Sequence, residues 1–324
     1  MTLERGSGNG RLCVVTPTYR PDFALFAELH RSVMEFLPED VVHHAIVPAR
    51  DVALFTAIGS GRLVVSAVDD LLPSRFVSTY AASTAVRSIP GLGGWPAIHA
   101  VNLRRPWPPV RGWILQQVVK LVAASRLDVD VALAVDSDVA FVRPVSADLF
   151  RRDGVTRLYR RAEGVDDGMP HHVVWHRTAR LLLGLPATGA TLPHDYIAPL
   201  VPLDTAIVRS MRDRIEATHA HSWVDVLAGQ VRLSEYILYG TFVDELAPAS
   251  ARSYVSDASL CHSRWGAKPL EPADVGDFVA SLRDDDVAVH VQSTSGAGPA
   301  LRAAIVRQAG ERVRTGSEGL SPTA

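Results

Sequence analysis

The sequence predicts an α/β fold: a mostly parallel sheet flanked by helices, followed by a more mixed C-terminal region. Three observations lead there. Short apolar runs alternate with segments of helical period through the first half of the chain. Those runs are near-continuous rather than alternating, as in strands covered on both faces. Strand, helix and strand in succession call for crossovers and parallel pairing.

Taken in order, Leu12-Cys13-Val14-Val15 is a buried first strand, ending in a loop at Thr16-Pro17-Thr18-Tyr19. Phe23, Phe26, Leu29, Val33 and Leu37 recur at helical spacing, and Pro38 stops that helix. Ala45-Ile46-Val47 is a second strand, ending at Pro48 and Asp51, and Arg62 to Ser66 is a third. From Pro73 to Pro109 the chain is poorly periodic, with several Gly and Pro. It reads as a long excursion over the C-terminal edge of the sheet, and such segments are usually functional. Gly112 to Leu127 is a helix, and Val131 to Val135 is the clearest buried strand. Ala179 to Leu185, Ser210 to Thr218 and Ser234 to Val243 read as helices, Val287 to Val291 as a late strand and Pro299 to Val313 as a last helix. His171 and His172 read as strand neighbours pointing to opposite faces, hence no chelate. Residues 1–10 and 310–324 read as disordered ends around a single domain, 11–309.

Charge excludes some partners. Lys plus Arg number 33 and Asp plus Glu 35, so neither nucleic acid nor an anionic membrane is favoured. Cys13 and Cys261 lie too far apart for a zinc ribbon and make no disulfide scaffold, which fits a cytoplasmic setting. The first ten residues lack an apolar signal region, and no run reaches the roughly 18 apolar residues of a membrane span. Neither export nor an integral membrane segment is expected.

The chemistry concentrates after the buried strand, at Asp136-Ser137-Asp138. Residues two apart in an extended chain point the same way, so both carboxylates face one spot. That spot is the C-terminal end of a sheet strand, where open α/β sheets bind ligands. Two carboxylates repel unless a cation joins them, and oxygen ligands suit Mg²⁺ or Mn²⁺ carrying phosphates. The alternative is a pair of strand-end acids capping loops. Downstream, Cys261-His262-Ser263-Arg264-Trp265-Gly266-Ala267-Lys268-Pro269-Leu270 offers an imidazole that favours Mn²⁺ and a lysine for a diphosphate. The alternative there is His262 and Trp265 packed under a loop, with Lys268 solvated.

A strand-borne Asp-x-Asp, then far downstream His and a Lys-Pro six residues on, resembles the family 8 glycosyltransferases, which are GT-A fold enzymes of the glycogenin and lipo-oligosaccharide galactosyltransferase type. The whole chain also resembles a related group of little-characterised bacterial proteins through Pro17-Thr18-Tyr19, Gly112-Trp113, Gln116-Gln117 and Ser234-Glu235-Tyr236. Two departures stand out: Leu270 replaces the usual aromatic, and Gly266 is displaced by one position. The resemblance implies metal-dependent transfer of a sugar from a nucleotide-diphosphate donor to an unknown acceptor. It implies that Asp136, Asp138 and His262 hold Mn²⁺ (or Mg²⁺), with Lys268 on phosphate. Residues 11–145 would form the donor half and 146–309 the acceptor half. The base and ribose would lie over the Thr16 to Arg20 loop, Tyr19 stacking and Asp51 accepting. The alternatives are a half-buried loop aromatic and a helix cap.

Further residues carry expectations. Trp113, Gln116 or Gln117, and Lys120 form a polar stripe on an otherwise apolar helix, so the stripe is expected to line a cavity, with Lys120 stabilising the leaving diphosphate. Glu235 and Asp195 compete to deprotonate the acceptor, with Glu235 preferred. Its alternative is a first-turn acid favoured by the helix dipole. Trp175, His171, His172 and His176 are expected around the acceptor pocket. The rival functions are a haloacid-dehalogenase-like phosphatase with Asp136 as nucleophile, and a nucleotide-binding protein without turnover. The phosphatase lacks a downstream acidic motif, since Asp284-Asp285-Asp286 reads as a solvated turn.

Overall fold

Apolar runs with no polar face can only be satisfied in the middle of a sheet, and that is where they lie. The computed structural model describes residues 10–89, 97–166, 168–187, 193–265, 270–292 and 296–318. The chain opens with β1 (Leu12–Pro17), α1 (Phe23–Phe36), β2 (Val42–Val47), α2 (Val52–Thr56), β3 (Leu63–Ala67) and α3 (Val68–Leu71). The excursion holds β4 (Phe76–Ser78), α4 (Tyr80–Arg87) and β5 (Ile98–Asn102), and β6 (Val110–Arg111) follows it directly. Next come α5 (Gly112–Arg126), β7 (Val131–Val135), β8 (Val139–Phe141) and the short β9 (Arg151–Arg152), β10 (Val155–Thr156) and β11 (Leu158–Tyr159). The remainder is α6 (Pro170–Leu183), β12 (Leu200–Asp204), α7 (Thr205–His219), α8 (Trp223–Ala228), α9 (Glu235–Glu245), β13 (Val255–Ser256), β14 (Cys261–Arg264), α10 (Val275–Ala280), β15 (Ala288–Val291) and α11 (Pro299–Glu318).

The main sheet runs β12-β7-β1-β2-β3, parallel except for β12. Side-chain alternation divides its core. Cys13, Val15, Ala132 and Ala134 face α5, where Ile114, Val118 and Leu121 cover them. Leu12, Val14, Val131 and Leu133 face the other way, onto Leu29 and Val33 of α1. A second sheet runs β14-β15-β8, with β15 antiparallel to β8. Between β7 and β8 the chain leaves one sheet and enters the other. Asp136-Ser137-Asp138 is that junction.

Several expectations change. The described part of the excursion is not irregular: its β4 and β5 form an antiparallel sheet with β6 just beyond it, each strand too short to show a period. Arg75 at its start and Asn102 at the end of β5 both bind Asp225 of α8, Arg75 through two bonds of 2.8 and 2.7 Å and Asn102 through one of 2.7 Å. His171 and His172 sit on a helix, not a strand, because α6 begins at Pro170 and ends at the left-handed Gly184. Strand β12 escaped notice because Pro202 interrupts it, and an edge position tolerates that proline. The tail is helical to Glu318, with Ile305 and Ala309 fully buried in α11. The expected disordered N-terminus falls almost wholly outside the described residues.

Candidate active site at the sheet junction

The centre of the site is a lysine between two carboxylates. Lys120 projects from α5 and is almost fully buried. Its Nζ donates to Asp136 Oδ1 at 2.7 Å, Glu235 Oε1 at 3.0 Å and the Tyr236 hydroxyl at 3.2 Å. Burial favours the neutral amine, but the Asp136 and Glu235 charges outweigh it and hold the ammonium well above its ordinary value. Glu235 is buried too, at the first turn of α9, where the Ser234 hydroxyl caps the helix by accepting from Ile237 N–H. Burial pushes its carboxyl up, and Lys120 opposes this. The Gln117 side-chain amide, one turn before Lys120, donates to the same carboxylate. Asp136 differs from both: its side chain is 51% exposed. The polar stripe of α5 therefore splits. Gln117 and Lys120 lock α5 to α9, while Trp113 and Gln116 line open space.

Asp138 belongs to a second group. Its Oδ1 lies 3.5 Å from Nε2 of His290, a buried residue of β15. His290 Nδ1 has no hydrogen-bond partner among the described residues. Asp22, at the N-cap of α1, makes no side-chain cap. Burial and then the Asp138 carboxylate push its carboxyl up to about 6, with Arg302 opposing and Asp136 adding. Asp22 and His290 were not foreseen. Their signals were an acid after Arg20-Pro21 that reads as an ordinary cap, and a histidine breaking the apolar run Ala288-Val289-His290-Val291.

The structure does not bring His262 to this pair. In β14, His262 is in register with Val289, whereas Ser263 is in register with His290. Adjacent residues on a strand face opposite sides, so the two imidazoles point apart. His262 packs on Phe278 at 4.4 Å and pairs with Ser281 at 3.2 Å and Asp286 at 3.8 Å, on the α10 side. Asp286 itself is fully buried and bound to Arg283, not solvated. Lys268 lies outside the described residues. Among the described residues, no three His, Cys, Asp or Glu side chains are gathered as a metal cage.

Beside the junction lies a cleft of about 600 Å³ above the C-terminal ends of β1, β2 and β3. The excursion and the first turns of α5 wall it in. Thr18 lines it and accepts a hydrogen bond from the Ser137 hydroxyl at 2.9 Å, which joins cleft to carboxylates. Tyr19 and Tyr80 meet edge to face at 6.3 Å, and Tyr80 meets His99 at 4.7 Å. His99 lies against Gly112: a Cβ there would stand 2.6 Å from the imidazole. Asp51 is fully buried and accepts from Arg20 N–H at 3.1 Å and Nε at 3.2 Å, so it shapes the loop below Tyr19. Thr16 turns inward, its hydroxyl 3.0 Å from His43 Nε2, and does not line the cleft. Asp195 stands apart from the lysine centre, 3.6 Å from Arg161 and 3.5 Å from His172. No helix among the described residues is long and apolar enough to cross a membrane.

The chain resembles several solved structures at low identity. An active-site mutant of LgtC is 13% identical over 96% of this chain and 97% of that one, with a TM-score of 0.44. The galactosyltransferase LgtC in complex with donor and acceptor sugar analogues is 14% identical over 92% and 95%, at 0.42. The bifunctional glycosyltransferase WbbM is 11% identical, at 0.47; the match covers 96% of this chain and 52% of WbbM, about half its length. No curated protein sequence matches. Residues 12–294 match the profile of DUF6492, described as a family of unknown function, and the chain belongs to that family.

Proposed function

We propose that the protein is a glycosyltransferase that takes a sugar from a nucleotide-diphosphate donor with the help of a divalent cation. The observation that carries this reading is the junction: an exposed Asp136 carboxylate, anchored by the buried Lys120, with the neighbouring Ser137 bonded to Thr18 of a cleft over the C-terminal ends of three parallel strands. The base and ribose would occupy the cleft against Tyr19 and Tyr80. The diphosphate would extend past Thr18 toward Asp136 and Asp138.

The donor set suits Mn²⁺ or Mg²⁺. Such ions are often held by one or two carboxylates and completed by phosphate oxygens, so a full protein cage is not required. Asp136 and Asp138 would hold the ion, with His290 replacing His262 as the imidazole. Asp22 is raised by burial first and then by the carboxylates of Asp138 and Asp136, so this corner of the site favours positive charge. Bound there, the ion would stabilise the charge that develops on the leaving diphosphate. Lys120 holds Asp136 in place rather than touching phosphate, because its ammonium is buried and already bonded. Glu235 is a positioning group behind Lys120: a carboxylate this buried reaches no acceptor hydroxyl. Asp195, next to the histidines of α6, is the acid on the acceptor side. Two free, buried cysteines accord with a cytoplasmic setting.

Calorimetric titration with a panel of nucleoside diphosphates, with and without Mn²⁺, tests this reading. One diphosphate should bind in a Mn²⁺-dependent way, and Asp138→Asn should weaken it at least about tenfold. If no member of the panel binds, or Asp138→Asn binds as well as the wild type, the reading fails. A covalently phosphorylated Asp136 would instead establish the phosphatase rival.

A further inference from the structure

Trp113 is 53% exposed, a large apolar area left in water. It is not loose, since its Nε1–H donates to Leu233 O at 3.2 Å. One side of it belongs to the cleft. On the other, its ring lies 6.2 Å from Trp175 of α6, with planes only 21° apart. Helical spacing brings two more rings to Trp175: His171 at 6.1 Å and 28°, and His172 at 5.1 Å and 36°. Trp113, which borders the cleft, thus stacks on Trp175, and His171 and His172 both lie against Trp175, an aromatic shelf that begins at the cleft. At its far end are polar groups, Asp195 3.5 Å from His172 and 3.6 Å from Arg161. His172 Nδ1 is buried against Asp195, so the groups this end presents to solvent are the half-exposed Arg161 and the exposed His171.

We infer that this shelf, Trp113-Trp175-His171-His172 with Asp195 and Arg161 at its end, is an acceptor subsite for a saccharide chain. The inference rests on the sugar-transfer reading and adds the acceptor class. A pyranose presents a face of C–H groups and a rim of hydroxyls. The face matches fixed aromatic rings, whose polarised π-systems attract C–H edges. The rim matches the half-exposed guanidinium of Arg161 and the exposed imidazole of His171, which together donate and accept. Asp195 is buried behind Arg161 and holds that guanidinium in place. The shelf starts at the cleft mouth, so a chain lying on it directs its end toward the donor sugar.

The test begins with direct binding, without donor. A panel of hexasaccharides built from glucose, mannose, galactose and N-acetylglucosamine is offered to the wild-type protein and followed by saturation-transfer NMR. At least one member should receive saturation through its ring C–H protons. Trp175→Ala should abolish that signal, and Trp175→Phe should restore it. In transfer assays with a binding member as acceptor, Trp175→Ala should raise the acceptor KM about tenfold, the scale of one lost stacking contact, and leave nucleoside diphosphate affinity unchanged. Binding by no member, or equal binding by Trp175→Ala, overturns the inference. A saccharide bound to the shelf by a protein that binds no nucleoside diphosphate would support the shelf and sink the donor reading instead. Thermal unfolding of Trp175→Phe checks that folding is intact.

Discussion

Lys120 is the residue on which the site's geometry turns. It is buried between two carboxylates, so its removal does not merely delete a bond. It leaves Glu235 charged and without its cation in a place from which water is excluded. Lys120→Met is expected to cost about 3–5 kcal/mol, read from the urea midpoint of unfolding. Adding Glu235→Gln should recover much of the loss, because the stranded charge goes with it. If the double variant is as unstable as the sum of its singles, the two side chains are not coupled and the cluster is wrongly described. Asp136, Lys120 and Glu235 were each legible as candidates, because polar groups next to apolar runs are conspicuous. Their union was not, since Lys120 and Glu235 are 115 residues apart and only packing joins α5 to α9. His262 shows the opposite failure. Its motif spacing was persuasive, but strand parity decides the face, and one residue of register puts His290 rather than His262 beside Asp138.

At the level of elements, two contacts yield sharp expectations. Helix α9 passes Tyr196 so closely that a Cβ on Gly240 would stand 2.3 Å from the ring. The ring is held by its hydroxyl, which donates to Asp244 at 2.6 Å. Gly240→Ala should therefore destabilise by about 1–3 kcal/mol, although alanine is the better helix former. An unchanged melting temperature would show that the ring moves aside freely. The second contact joins α1 to β2. His30 Nδ1 and His43 Nδ1 are 3.1 Å apart, so one donates and the other must be unprotonated. Burial lowers His43 well below 6.5, with His30 and His44 adding, and lowers His30 as well. His176 is pushed down to about 4, also by burial. Above pH 6.5 these imidazoles are neutral folded and unfolded, so stability is flat. As pH falls from 6.5 toward about 4, the unfolded chain takes up protons that the native one refuses, and stability falls. Melting temperatures recorded from pH 8 to pH 5 check this, and a level profile would contradict it. Neither contact was visible beforehand. Periodicity located α1, β2 and α9, but which side chains touch depends on packing angles that no local pattern encodes.

Across the whole molecule, the parallel core was legible because buried strands must be continuously apolar, and the excursion was illegible because its strands are too short to repeat. Yet the excursion decides whether the cleft is closed. It walls the space over β1, β2 and β3, and Asp225 anchors its two ends to α8, through Arg75 before β4 and Asn102 at the end of β5. The ion pair is bidentate and mostly buried, the geometry in which such a pair has most to lose. Asp225→Ala leaves a guanidinium and an amide without their acceptor, at a local cost of about 1–3 kcal/mol. The parallel sheet makes no use of Asp225, so the loss should stay local. Amide exchange should quicken across residues 76–102 and remain slow in β1 and β7. If the excursion forms the wall of the nucleotide site, diphosphate affinity should fall in the same variant, because binding must then first order the wall. Faster exchange with undiminished affinity would mean that the excursion is a neighbour of the site and not part of it. Uniformly faster exchange, reaching β7, would mean that it is part of the core instead.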